Sequence, residues 1–304
     1  MKSMDTWAKP VKSEEEVPST FLRQFEEVTA AQTVFPMTVY APPDRWGRRK
    51  ATPKLICLLD DKLALIEKVG REIVTSVFFF PDITYIETGT MLLYSWLKIV
   101  GVTEKGPTTS LIEFNSVVEP LFRPLAEGMR LAMSRLNPAE APSAHEQEQQ
   151  KFNVYQSSNY KFMNFAKRSL MKGESVVAQI LQPDIHLKYL RHFTRLAVGN
   201  HLTILTDREV IIIKDAESIR LRNQTRYGGI WSYIPLEKIT DVTLFKQKAT
   251  DSGRKKPGDD LVGFKLSLKD GVILELRFDP NQTDSLEQLI CRIKNREVTY
   301  PKCG

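Results

Sequence analysis

Short apolar runs alternate with polar breaks along this chain, and the breaks come in an order that occurs twice. LICLLDDKLALIEK near residue 60 and HLTILTDREVIIIKD near residue 205 are each two apolar runs joined by an acidic-basic pair, Asp61-Lys62 in one and Asp207-Arg208 in the other. An apolar run, a polar tight turn and a second apolar run predict a β-hairpin. Upstream of each lies one strand-like run closed by proline, residues 33–41 before Pro42 and 175–182 before Pro183. Downstream of each comes a strand with an internal proline, FFFPDITYI around Pro81 and WSYIPLEKITDVTLF around Pro235. Proline has no N–H to give to a ladder, so each marks an edge, a bend or a break between strands.

Both halves close alike. Alternating strands at 108–114 and 271–278 end in Phe-Asn and Phe-Asp, and a helix follows each, over 117–136 and 283–297. In the second helix Leu286, Leu289, Ile290 and Ile293 form one apolar stripe, and Thr283 and Asp284 are N-cap candidates after Pro280. In the first, Pro120 suits the opening turn, whereas Pro124 should kink the helix or delay its start. The lead-ins also match: FLRQFEEVTA precedes one first strand and FMNFAKRSLMKG the other. The second lead-in reads as the end of a longer helix from about His145, striped by Phe152, Tyr155, Phe162 and Phe165. LNPAEAPSAHEQEQQ, rich in Pro, Ala and Gln, reads as a linker, and residues 183–199 are long enough for a short helix of their own.

The expected class is therefore α+β, with two domains that are each a seven-stranded antiparallel curled sheet or barrel capped by a C-terminal helix. The expected division is a disordered tail over 1–16, a first domain over 17–136 with an N-terminal helix, a linker and helix over 137–172, a second domain over 173–298, and a tail over 299–304. This pattern resembles the pleckstrin-homology superfold and, more closely, the bacterial pleckstrin-homology-like (YokE-like) domain family, in tandem copies. The residues that carry the resemblance are LTDREVIII at 205–213 and YIPLEKITDV at 233–242. The first copy keeps LLDDKLALI and FFFPDITYI and looks diverged. The resemblance implies a non-enzymatic binding or assembly module and names no ligand for the bacterial members.

Charge adds a surface. Residues 1–140 hold 17 basic against 18 acidic residues, and the remainder holds 26 against 19, within a net charge of +6. An uneven positive field favours an anionic partner. In pleckstrin-homology-like folds, the resemblance implies, loops after the first and third strands open at one end, where eukaryotic members bind lipid head groups. Here the first such loop holds Arg45, Trp46, Arg48, Arg49 and Lys50. Guanidinium groups can clasp phosphates bidentately while an indole sits at head-group depth. In the second half the matching loops hold Lys188, Tyr189, Arg191, His192 and Arg195, then Arg220, Arg222, Arg226, Tyr227 and Trp231. Against this, Leu202-Thr203-Ile204 occupies the place of the basic second-strand phosphoinositide signature. The alternative is that these loops are solvated, with their arginines paired to carboxylates. The basic run from Lys246 to Pro257 is interrupted by Asp251 and reads as a loop.

Catalytic chemistry is not indicated. His145, His186, His192 and His201 lack metal-binding spacing, no phosphate-cradling glycine loop or nucleophile elbow occurs, and Asp60-Asp61 reads as a turn. Tyr227-Gly228-Gly229 reads as a turn entering a strand, and Phe78-Phe79-Phe80 as core filling both sides of a strand. Cys57, Cys291 and Cys303 are odd in number and unpatterned, so no disulfide framework or zinc site is expected, and neither is a cofactor. No apolar run is long enough to span a bilayer, and the start of the chain lacks the apolar core of a secretory signal. The expected location is the cytoplasm, with peripheral attachment at the inner face of the membrane. Two functions stand open: a peripheral binder of anionic phospholipid through the basic rim, or a protein partner or homo-oligomer module using sheet edges and the linker helix. Nucleic acid ranks below both, because the basic residues are confined to loops.

Overall fold

A computed structural model describes residues 7–46, 49–134, 142–189, 193–216, 227–248 and 260–295. The chain is α+β, its sheets mostly antiparallel, and it divides into two compact units, residues 1–137 with 218–230 and residues 138–217 with 231–304.

The first unit contains β1 (Lys9–Val11), α1 (Leu22–Thr29), β2 (Met37–Ala41), a short ribbon of β3 (Asp44–Trp46) and β4 (Arg49–Ala51), β5 (Lys54–Leu58), β6 (Lys62–Val69) and β7 (Glu72–Phe79). It continues with β8 (Ile83–Met91), β9 (Tyr94–Thr103), β10 (Gly106–Asn115) and α2 (Glu119–Ser134). Strands pair in the orders β1-β2-β5-β6-β7 and β8-β9-β10. Phe21, Phe25, Val11 and Val17 cover Leu55, Cys57, Ala64 and Ile66 on one face of the larger sheet. The alternate residues Ile56, Leu63 and Leu65 are buried too, and Leu58 lies against Gly128 of α2. Cover on both faces explains why these strands read as continuous apolar runs rather than as alternation.

Residues 7–16 are not a disordered tail. β1 pairs with β2, Lys9 opposite Tyr40 and Val11 opposite Thr38, and Val11 and Val17 are buried. The open edge of β2 needs a partner, and Pro10 is tolerated because β1 is itself an edge strand. Residues 1–6 and 299–304 lie outside the described residues. The run Phe78-Phe79-Phe80 does not fill core throughout: Phe78 and Phe80 are buried, but Phe79 is 38% exposed with the Lys62 ammonium 5.6 Å from its ring centroid. Side chains alternate along a strand, so only every second one can face inward.

The second unit contains α3 (Pro142–Gln150), α4 (Tyr160–Ser169), β11 (Val176–Gln182), a ribbon of β12 (Ile185–Tyr189) and β13 (Phe193–Val198), β14 (His201–Thr206), β15 (Glu209–Asp215) and, from Trp231 on, β16 (Gly229–Pro235). Then follow β17 (Ile239–Lys248), β18 (Asp260–Leu268), β19 (Ile273–Phe278) and α5 (Thr283–Lys294). The strand orders are β16-β15-β14-β11 and β17-β18-β19. The lead-in is not one long helix: a 3-10 segment, Lys151–Tyr155, follows α3, and Asn159 starts α4 afresh by accepting from the Phe162 N–H at 3.2 Å. Among the described residues of 183–199 the chain forms the ribbon and no helix. Thr283 and Asp284 do not cap α5. Asp279 accepts from Asn281 N–H at 2.9 Å and opens a 3-10 turn that feeds the helix.

From β2 to α2 and from β11 to α5 the units correspond element for element. Register aligns Leu58 opposite Leu63 with Leu205 opposite Val210, so both hairpin turns have four residues and Asp60-Asp61 matches Asp207-Arg208. The acidic-basic pair Asp61-Lys62 is thus one residue out of step. Each hairpin turn also receives the next corner: Phe80 N–H donates to the Asp61 carbonyl at 3.1 Å, and Leu236 N–H to the Arg208 carbonyl at 2.9 Å. Those corners are the 3-10 turns Phe80–Asp82, with Pro81 inside it, and Leu236–Lys238, with Pro235 just before it. β8 and β17 carry the same bulge, after Ile83 and after Ile239. Asn115 accepts from Val117 N–H at 3.0 Å as Asp279 does from Asn281, which is the physical content of the paired Phe-Asn and Phe-Asp endings. Pro124 sits inside α2 without delaying it; the N–H it lacks is the one that the Pro120 carbonyl, in the opening turn, would accept from.

Candidate anion-binding rim

The ribbon β3–β4 continues the β2–β5 hairpin beyond the sheet. Asp44 faces Ala51 and Arg45 faces Lys50 across it. Directly opposed residues share one side of an antiparallel ribbon, and successive residues alternate. Asp44 and Ala51 are accordingly buried, while Arg45 and Lys50 are exposed together. Asp44 turns its carboxylate to the backbone, accepting from Arg45 N–H at 2.6 Å. Trp46 and Arg49 form the last pair of the ribbon, with side chains outside the described set, and Arg48 lies outside the described residues.

Beneath the ribbon a polar knot fixes its root. The Lys54 ammonium donates to Glu67 at 2.8 Å and to the Thr52 hydroxyl at 2.5 Å, and that hydroxyl donates to the same carboxylate. The Lys54 side chain is 7% exposed, so Glu67 is committed to it. Lys68 N–H donates to the Pro53 carbonyl at 3.0 Å, which ties the β6–β7 turn to the same end. Lys68 and Arg71 flank that turn around Gly70, at φ +64°, with Glu72 beside them. Among the described residues, Arg45, Lys50, Lys68 and Arg71 make no ion pair with a carboxylate. Lys68 and Arg71 were missed in the sequence, although K-V-G-R between the runs LALIE and EIVTS marks a basic turn after a strand.

In the second unit the ribbon root is fastened differently. Asp184 and Asn200 exchange hydrogen bonds, Asp184 N–H to Asn200 Oδ1 at 2.8 Å and Asn200 N–H to Asp184 Oδ1 at 2.7 Å. Asn200 also donates to Asp215, whose other oxygen takes the Lys161 ammonium at 2.5 Å. On the ribbon itself the backbone places Lys188 opposite Thr194 and Arg195 opposite Leu187, with all four side chains outside the described set. Arg191, His192, Arg220, Arg222, Arg226 and the loop 249–259 lie outside the described residues. Trp231, expected on the rim, is instead buried in β16, its ring edge-on to Phe165 at 4.7 Å, because it falls inside a strand covered by α4.

Register equates Lys54 opposite Glu67 with His201 opposite Lys214. His201 is buried, with its Nδ1 3.0 Å from the Gly199 carbonyl, which can only accept, so Nδ1 carries the proton and donates. Burial, reinforced by Lys214, pushes its pKa down to about 4. The ring is therefore neutral and packs edge-on to Phe278 at 4.7 Å. Cys57 is also buried, its thiol pushed up to about 12 by desolvation. Among the described residues no group of three or more His, Cys, Asp or Glu is placed to hold a metal ion, and no helix is long and apolar enough to cross a membrane. Neither the protein-family models nor the curated proteins contain a match to this chain.

Proposed function

We propose that this chain is a tandem pleckstrin-homology-like binding protein without enzymatic activity, and that it attaches peripherally to anionic phospholipid through its ribbon rim at the inner face of the membrane. The observation that carries the reading is the exposed pair Arg45 and Lys50 on one side of β3–β4, at the same end as Lys68 and Arg71. Like charges directly opposite one another on a ribbon repel, and Glu67, tied to the ribbon root, is spent on Lys54. A phosphate-bearing surface relieves that repulsion, each cation near an anionic leaflet being worth about 1 kcal/mol. The repeated order of seven strands, counted without β1 and the two ribbons, and a closing helix supports the pleckstrin-homology-like reading of both units.

Pairing through the edge of the first strand meets an opposing observation. The edge of β2 is taken by β1. The edge of β11 is occupied by side chains: Glu148 accepts from Val176 N–H, Lys151 donates to the Val176 carbonyl at 3.1 Å, and Arg292 donates to the Val177 carbonyl at 2.8 Å. The deciding experiment is co-sedimentation of the whole protein with neutral and with anionic vesicles, at low and at physiological salt. Salt-sensitive binding to anionic vesicles that is lost in R45E/K50E supports the proposal. Equal binding by the variant removes this rim from it.

A further inference from the structure

β19 ends its sheet, hydrogen-bonded among the described strands to β18 alone and in a register without a bulge. The hairpin fixes which of its backbone groups point away from β18. Leu268 N–H donates to the Val272 carbonyl at 2.8 Å, so that facing pair is a hydrogen-bonded one. Hydrogen-bonded and non-hydrogen-bonded pairs alternate along an antiparallel ladder. Leu274, Leu276 and Phe278 therefore turn their N–H and C=O groups to β18, and Ile273, Glu275 and Arg277 turn theirs off the sheet. Asp279, the next residue in that second set, agrees: its N–H leaves the strand to donate to Gln182 Oε1 of β11 at 2.7 Å. No described group pairs with the outward backbone of Ile273, Glu275 or Arg277.

Other edges are guarded. β2 is covered by β1, and β11 by the side chains of Glu148, Lys151 and Arg292. β10, the counterpart of β19, carries Pro107 and no basic residue, and its Glu113 accepts from the Tyr94 hydroxyl at 2.7 Å. Prolines, bulges and covering groups keep a second chain off a sheet edge, and β19 has none of them among the described residues. It carries instead two exposed charges of opposite sign on one face, Glu275 and Arg277. Neither makes an ion pair among the described residues, although Lys265 stands opposite Glu275 on β18.

The charges identify the occupant. Two copies related by a two-fold axis normal to the sheet pair antiparallel through the same patch on each. Opposed residues then share a face. Centred on Glu275, such a pairing brings carboxylate against carboxylate; centred on Arg277, it brings guanidinium against guanidinium. Centred on Leu276, it sets Glu275 against the second copy's Arg277, and Arg277 against the second copy's Glu275. In that register the outward N–H and C=O groups of these same residues meet as two hydrogen-bonded pairs. We propose that β19 pairs with β19 of a second copy of this chain in the register centred on Leu276, joining the two β17-β18-β19 sheets into one.

This association needs no lipid and is independent of the membrane reading. Its test is sedimentation equilibrium of the whole protein, without lipid, over rising concentration. Wild type is expected to show a monomer–dimer equilibrium. E275R leaves only guanidinium groups across the contact and R277E only carboxylates, so each should weaken the dimer about tenfold. An equimolar mixture of E275R and R277E should recover dimer, because every opposed pair is again unlike, and E275R/R277E in one chain should recover the homodimer. A misfolded variant would not be rescued by mixing, which separates a folding defect from a lost contact. R45E/K50E should dimerise as wild type does, whatever its effect on vesicles. A wild type that stays monomeric at every concentration, a dimer that E275R and R277E leave unchanged, or single variants that mixing fails to rescue would each overturn the proposal.

Discussion

The two units match in register and differ in chemistry at the matched places. At the ribbon root, Lys54 opposite Glu67 in the first unit becomes His201 opposite Lys214 in the second. On the second sheet, Gly89 opposite Trp96 becomes Phe245 opposite Gly263. In each of these latter pairs an aromatic ring lies over the glycine, where a Cβ would stand 2.0 Å from Trp96 or 2.3 Å from Phe245. The glycine and the aromatic have exchanged strands. What the glycine–aromatic pair holds constant is its combined volume, and not the identity of either residue. The first unit answers a buried cation with a carboxylate; the second removes the charge by burying a neutral imidazole.

The largest effect should come from breaking the ionic version. Glu67→Leu leaves the Lys54 ammonium buried with only Thr52 beside it, at a cost of about 3 kcal/mol to the first unit. Urea unfolding with hydrogen exchange to localise the loss would measure it, and exchange that accelerates only in the second unit would refute the assignment.

Next in size is the acid response of the neutral version. The folded pKa of His201 is lowered to about 4 from an ordinary 6.5, so below 6.5 the unfolded chain takes up a proton that the folded unit resists. Stability from this residue is full above pH 6.5 and is lost as pH falls toward 4, by about 3 kcal/mol at most. Besides Lys214, the groups facing it are Gln182 of β11 and Phe278 of β19. His201→Phe should flatten the stability profile of the second unit between pH 6.5 and 4. Lys214→Glu should sharpen the comparison by restoring a carboxylate as in the first unit, and the His201 titration followed by NMR should move upward.

The exchanged pair offers a subtler test. Gly89→Ala forces its Cβ into the Trp96 ring and should cost about 2 kcal/mol. G89F/W96G, which imports the arrangement of the second unit, should be less damaging than the sum of its single substitutions, with a coupling above about 1 kcal/mol in a double-mutant cycle. Smallest is Leu92→Gly, which makes the β8–β9 turn like those at Gly70 and Gly106 and should stabilise the first unit by about 1 kcal/mol in thermal unfolding.

Much of this fold was written locally. Hairpins at Asp60-Asp61 and Asp207-Arg208, breaks at Pro81 and Pro235, and the Phe-Asn and Phe-Asp endings are short-range signals, because turns, proline geometry and helix caps depend on neighbours in the chain. Arg45 and Lys50 were legible as a basic loop for the same reason. Partnership was not legible. That residues 7–16 supply an edge strand and that Trp231 lies inside a strand covered by α4 both depend on hydrogen bonds and cover from distant segments. The same holds for the rim: composition could propose cations, but only register decided that Arg45 and Lys50 share one exposed side while Lys54, four residues on, is buried against Glu67. The sequence by itself determined where strands begin, turn and end. Tertiary structure decided which charges stay exposed, because desolvation and pairing are set by what folds over a residue and not by its neighbours along the chain.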